Sequence, residues 1–281
     1  MHQKTDVIQV PGATLRYNIR GAGPLLLLVA GGDGDAEASA ALADRLAGRY
    51  TVLTYDRRGL SGSVIDASAG PPTIGTHADD VHRLLAAITD EPALVFASSI
   101  GAMIGLELVA RHPEQVRRLV AHEPPATQFL PEAEREAARR DQREVEEAFR
   151  AEGAFAALRR FLVVAGIDPA DREEDVVLTP PGPDRLANLT FFLTHDAPAV
   201  RRHRLDEAAL KAAAPRIVPA VGASSGPIMP YRCALRLAAR LGLSPVEFPG
   251  GHNGALFRPK AFSGRLREIL GGPSDQHEKA I

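Results

Sequence analysis

The chain has 281 residues, 45% of them hydrophobic and 24% charged, with a formal net charge of −2. That length suits one elaborated domain, and the near-neutral charge leaves no electrostatic footprint for nucleic acid or anionic lipid. The single Cys233 excludes an intramolecular disulfide framework and a thiolate metal site, and with no apolar signal core in MHQKTDVIQV and no run approaching the roughly 20 residues that span a bilayer, a cytoplasmic protein is expected.

Strand-like runs follow in chain order: VIQV (7–10), TLRYNI (14–19), LLLLVA (25–30), TVLTY (51–55), ALVFA (93–97), VRRLVA (116–121), RIVPAV (216–221) and PVEF (245–248). The alternating TLRYNIR suits an antiparallel hairpin at a sheet edge, whereas the continuous LLLLVA and ALVFA read as strands buried on both faces. Helical patterns fill 36–48, 76–89, 100–112, 231–241 and 257–270. From the third strand on, this alternation predicts an α/β fold with a doubly wound, mostly parallel eight-stranded sheet.

The alternation stops after the sixth strand. Residues 124–214 hold an Ala/Glu/Arg-rich helical stretch, a Pro/Gly/Asp-rich passage and a further helical run. This predicts a helical lid inserted into a core made of residues 1–123 and 215–281. The charge density of the insertion reads as a solvated helix face.

ALVFA runs into S-S-I-G and then an amphipathic helix, which puts Ser99 at the tip of a strand-to-helix turn with Ala97 and Gly101 flanking it. Such a turn exposes a hydroxyl above the sheet beside free helix N-terminal amides. Helix capping by Ser98 and Ser99 is the other reading of the same residues. GGDGD lacks the Lys and Ser/Thr of a phosphate-binding loop and completes no G-x-G-x-x-G. Asp56 and Arg58 in YDRRG read as loop-bracing residues. His195, Asp196 and His203 are too scattered for a metal site, so no metal and no organic cofactor are expected.

PLLLLVAGGDGD, YDRRGLSGS, ASSIGA and FPGGHNG occur in this order, and together they resemble the third-strand and oxyanion loop, the fourth-strand loop, the nucleophile elbow and the histidine loop of the α/β-hydrolase fold family. The resemblance covers nearly all of the chain outside the insertion. It implies Ser99 as nucleophile, His252 as base, and an oxyanion hole formed by the amide of Ile100 with that of Gly32 or Asp33. Asp33, His122 and Ser98 are the expected substrate-contacting residues. The family usually places its acid after the seventh strand, but Gly222–Gly226 contains no carboxylate. A minority of relatives, some haloalkane dehalogenases among them, carry it after the sixth strand, where this chain has Glu123. The alternatives are a Glu123 paired with an arginine under the lid hinge, and a degraded triad in which Ser224 or Ser225 only orients the histidine.

The function these residues imply is hydrolysis of a small ester, lactone or related acyl compound. A cofactor-free lyase or cyclase and a non-catalytic binder are the other classes open to the same scaffold. A small-molecule substrate is the expected partner, and the oligomeric state is open, a homodimer included.

Overall fold

The computed structural model describes residues 3–178 and 182–271, so the outermost residues of the expected core segments and 179–181 of the expected lid lie outside the described residues. Strands β1 (Gln3–Val10) and β2 (Ala13–Arg20) form the antiparallel hairpin, which turns at Gly12 with φ of 76°. β3 (Leu25–Val29), β4 (Thr51–Tyr55), β6 (Ala93–Ser98), β7 (Val116–His122), β8 (Ile217–Gly222) and β9 (Val246–Phe248) continue the sheet. The order is β1-β2-β4-β3-β6-β7-β8-β9, and every pairing from β4 to β9 is parallel. Eight strands match the expected runs. The ninth, β5 (Val64–Ile65), pairs with β2; its two residues between SGS and DASAG are too few to show a period. As a result, the sixth expected strand is β7 in the structure.

Helices cover both faces, as a parallel sheet requires. One face packs against α2 (Ile74–Ile88), α3 (Ile100–Arg111) and α9 (Met229–Leu241), through residues such as Val81, Ile104 and Leu237. The other packs against α1 (Ala40–Leu46) and α11 (Pro259–Leu270), through Leu42, Phe262 and Leu266. The short α10 (Gly254–Phe257) leads into α11.

Between β7 and β8 the chain builds α4 (Glu132–Glu152), α5 (Ala154–Val164), α6 (Pro183–Phe191), a π-helical turn (Phe192–Asp196), α7 (Ala197–Arg202) and α8 (Glu207–Ala212). Val145, Ala157, Leu189 and Phe192 join the same hydrophobic cluster as α2 and α3, which seats the insertion on the core. Among the described residues, no helix is long and apolar enough to cross a membrane.

Candidate active site

β6 ends at Ser98 and α3 begins at Ile100, so Ser99 alone makes the turn, with φ of 54° and ψ of −121°. A side-chain-bearing residue adopts such a conformation at a cost of about 1–3 kcal/mol, and only where its surroundings over-determine it. Here they do. The Ser99 amide donates to the His122 carbonyl at 2.9 Å, and its carbonyl accepts from the Met103 amide at 3.2 Å. A Cβ on Gly101 would stand 2.3 Å from the Val29 carbonyl oxygen, and one on Gly31 would stand 3.0 Å from the Ser99 Cβ. Both glycines therefore let the loop after β3 close against the elbow.

One strand over, Glu123 follows β7 with φ of 48°, and its amide donates to the Ala220 carbonyl at 3.0 Å. Its two carboxylate oxygens are both engaged: Oε2 lies 2.6 Å from His252 Nδ1, and Oε1 accepts the Gly222 amide at 2.8 Å. Burial pushes this carboxyl up, but His252, His122 and Ser225 together hold it down to about 2. It is therefore ionised at neutral pH, in contact with an imidazole that is itself buried. Glu123 makes no arginine pair in this arrangement. Ser224 turns away from the histidine and donates its hydroxyl to Asp171 at 2.7 Å. Ser225 is buried, its amide donates to the Gly222 carbonyl at 3.1 Å, and its hydroxyl has no hydrogen-bond partner among the described residues.

His252 and Ser99 line both of the cavities that open at this edge of the sheet. The first, of about 290 Å³, runs under α4 and α7. The second, of about 510 Å³, follows the loop after β3, and Gly32, Asp33 and Ser98 are in its wall. Ile100 lines the first. Asp33 also pairs with Arg185 Nε at 3.1 Å.

His122 does not join them, which corrects its expected place in the substrate pocket. Alternation along β7 turns its side chain to the α1 and α11 face, where its ring packs edge-on against Phe248 and Phe262. Neither ring nitrogen finds a partner, and burial holds the imidazole down to about 4.

One residue with no signal in the sequence reading is Arg57, the less conspicuous arginine of YDRRG. Its side chain is 1% exposed. It donates to the carbonyls of Ala30 at 2.9 Å and of Gly32, and it pairs with Asp196 Oδ2 at 3.3 Å. Asp196 closes the π-helical turn, and its other oxygen meets His77 Nε2 at 3.1 Å. Asp56 and Arg58 brace their loop as expected: Asp56 accepts the amides of Ala36 and Gly62, and Arg58 pairs with Asp80. His203 pairs with Glu107, and the His195 ring packs tilted by 50° against Phe191.

A family model described as the alpha/beta hydrolase fold matches residues 24–162. The chain is 41% identical over 267 residues to the "Uncharacterized hydrolase YraK" of Bacillus subtilis (strain 168), which is 94% of each chain. Over 114 residues it is 28% identical to the 2-(acetamidomethylene)succinate hydrolase of Mesorhizobium japonicum, covering 41% of this chain and 40% of that one. A solved hydrolase from Pseudomonas aeruginosa PA01 superposes with a TM-score of 0.70 at 25% identity, over 95% of this chain and 98% of the other. An extended match to a hydrolase, a family model on the elbow-bearing half and a shared fold lead to one conclusion: this chain belongs to the α/β-hydrolase fold family, and it is a hydrolase.

Proposed function

We propose that the protein is a serine hydrolase of a small ester, lactone or related acyl compound, with Ser99 as nucleophile, His252 as general base and acid, and Glu123 as the acid of the triad. The observation that carries this reading is the 2.6 Å contact between Glu123 Oε2 and His252 Nδ1, beside a serine held at a strained strand-to-helix turn. An ionised carboxylate on Nδ1 fixes the tautomer that presents Nε2 as the proton acceptor, and it stabilises the imidazolium that forms. Ser99 Oγ then attacks the acyl carbon while its proton passes to His252. The carbonyl electron pair moves onto oxygen, where the amides of Ile100 and Gly32 are suited to receive it. Collapse breaks the bond to the leaving alcohol or amine, which takes the proton from His252. Water, deprotonated by the same imidazole, releases the acid and frees Ser99. In this reading the helices of 124–214 act as the lid that shapes the cavity and excludes water.

A fluorophosphonate probe tests it. Stoichiometric labelling of Ser99 is expected, and Ser99→Ala should lose the label together with turnover, by a factor on the order of 10⁶. A folded wild-type protein that stays unlabelled, or a variant that keeps turnover within a few fold, overturns the assignment.

A further inference from the structure

α4 places Arg135 and Arg139 one turn apart, on the face that also carries Gln142, while Arg201 is on the last turn of α7 and Arg204 lies just beyond it in the extended chain. Residues three or four apart on a helix lie on one face. All four arginines enter the wall of the cavity of about 290 Å³ that holds Ser99 and His252, a wall otherwise mostly aliphatic and aromatic.

Their local partners do not use them up. Glu132 takes one nitrogen of Arg135 and one of Arg139, Glu136 takes a nitrogen of Arg139, and Glu146 takes Nη2 of Arg201. These three carboxylates are not part of the cavity wall. Among the described residues, Arg135 Nε and Arg201 Nη1 are left buried without an acceptor, while Arg204 Nη1 donates to the backbone carbonyls of Arg201 at 3.0 Å and His203 at 2.8 Å. A guanidinium with one buried nitrogen unmet is an incomplete hydrogen-bonding set, and a planar oxyanion is the group whose geometry completes it.

The neighbouring cavity has the opposite character. Asp33, Asp35, Glu37 and Asp184 stand in its wall against the one arginine, Arg185. The two arms therefore differ in charge on either side of Ser99, and a negative group is drawn to the first and repelled by the second.

We propose that the arginine-walled arm takes a carboxylate of the substrate, so that the compound cleaved at Ser99 is an acid-bearing ester or amide. This rests on the serine-hydrolase reading above. The acid sits between α4 and α7, and the uncharged or cationic remainder of the substrate extends along the loop after β3.

The test uses two isosteric pairs. Mono-4-nitrophenyl glutarate is compared with its methyl ester, and 3-carboxyphenyl butyrate with its methyl ester, so that the acid is presented once on the acyl side and once on the leaving group. In at least one pair the free acid should be preferred by about tenfold in kcat/KM, carried by KM, as one charge-assisted contact implies. That preference should collapse in Arg135→Gln or Arg201→Gln. It should persist in Arg159→Gln, whose side chain is 71% exposed and outside the cavity wall. No preference in either pair, or a preference that survives in both arginine variants, overturns the proposal. If Ser99 resists fluorophosphonate and no ester is cleaved, the hydrolase reading is what fails. The carboxylate site is then decided by thermal shift: glutarate should stabilise the wild type, glutaramide should not, and Arg201→Gln should abolish the difference. Equal shifts for the two ligands end the proposal.

Discussion

Every oxygen of the Glu123 carboxylate is in use, one on His252 Nδ1 and one on the Gly222 amide. Glu123→Gln preserves the shape and offers the imidazole an amide that can donate as well as accept. The histidine can then keep its Nδ1 free and carry its proton on Nε2, the wrong side for a base. The expected result is a fall in kcat of roughly 10² to 10⁴ with little change in KM, together with slower fluorophosphonate labelling of Ser99. Steady-state kinetics at one pH check it, and a loss under fivefold would show that Glu123 only packs. The sequence offered Ser99 through its strand-to-helix turn, His252 through its glycine-rich loop and Glu123 through the lack of a carboxylate in Gly222–Gly226, and the structure puts Glu123 against His252, with Ser99 and His252 in the wall of both cavities. The place of His122 was not legible there. Its neighbour Glu123 leaves the strand through a left-handed turn and reaches His252 Nδ1, while the His122 ring packs among Phe248 and Phe262, and nothing in HEPP marks where the alternation breaks.

Among the elements, the tie between the insertion and the loop after β3 has the most direct bearing on chemistry. Arg57 holds the carbonyls of Ala30 and Gly32 with part of its guanidinium and Asp196 with the rest. These carbonyls share their peptide planes with the Gly31 and Asp33 amides, on either side of the peptide that carries the Gly32 amide, so the same arginine orients the loop proposed to stabilise the oxyanion. Asp196→Asn retains the size but leaves Arg57 buried without its counter-ion, a change that costs several kcal/mol when a buried pair is broken. The prediction is a lower melting temperature together with a kcat reduced by about 10-fold to 100-fold, since one oxyanion donor is worth up to about 10³. Fluorophosphonate labelling per folded molecule should slow in parallel. Normal labelling and kcat in a merely less stable protein would make the pair purely structural. The sequence showed helices on both sides of this tie, but the π-helical turn at Phe192–Asp196 adds a residue without disturbing the apolar pattern. That extra residue is why the aspartate that turns inward could not be picked out.

At the scale of the molecule, the sheet and the helices that flank it were legible because buried parallel strands are continuous apolar runs, while the two-residue β5 and the short α10 escaped. The same burial sets the response to acid. His122 is held down to about 4 by burial, so as the pH falls from about 6.5 towards 4 the unfolded chain gains a proton that the folded chain refuses. Stability then declines by roughly 3 kcal/mol from this group alone. Glu123, held down to about 2, contributes stability that is complete above about 4.5 and is lost as the pH drops from there through 2. Stability should accordingly fall on acidification in two overlapping stages, the first set by His122 and the second by Glu123. His122→Phe, which places a third ring against Phe248 and Phe262, should flatten the first stage and leave the second. Melting temperatures from pH 7 to pH 3 measure this, and a variant whose profile between 6.5 and 4 parallels the wild type would refute it.

The left-handed turns at Ser99 and Glu123 have one more consequence, in evolutionary terms. Glycine would occupy φ of 54° and 48° without the penalty that a Cβ carries there. At 123 that relief is offset by the lost contacts to His252 and the Gly222 amide, so a lineage that needed the protein to endure heat but no longer needed turnover would find its easier gain at 99, since purifying selection retains costly residues only while function requires them. On the proposed reading, a homologue with glycine at 99 has been released from nucleophilic catalysis by that serine, whereas one with glycine at 123 must carry its acid elsewhere, as in the loop after the strand that ends at Gly222.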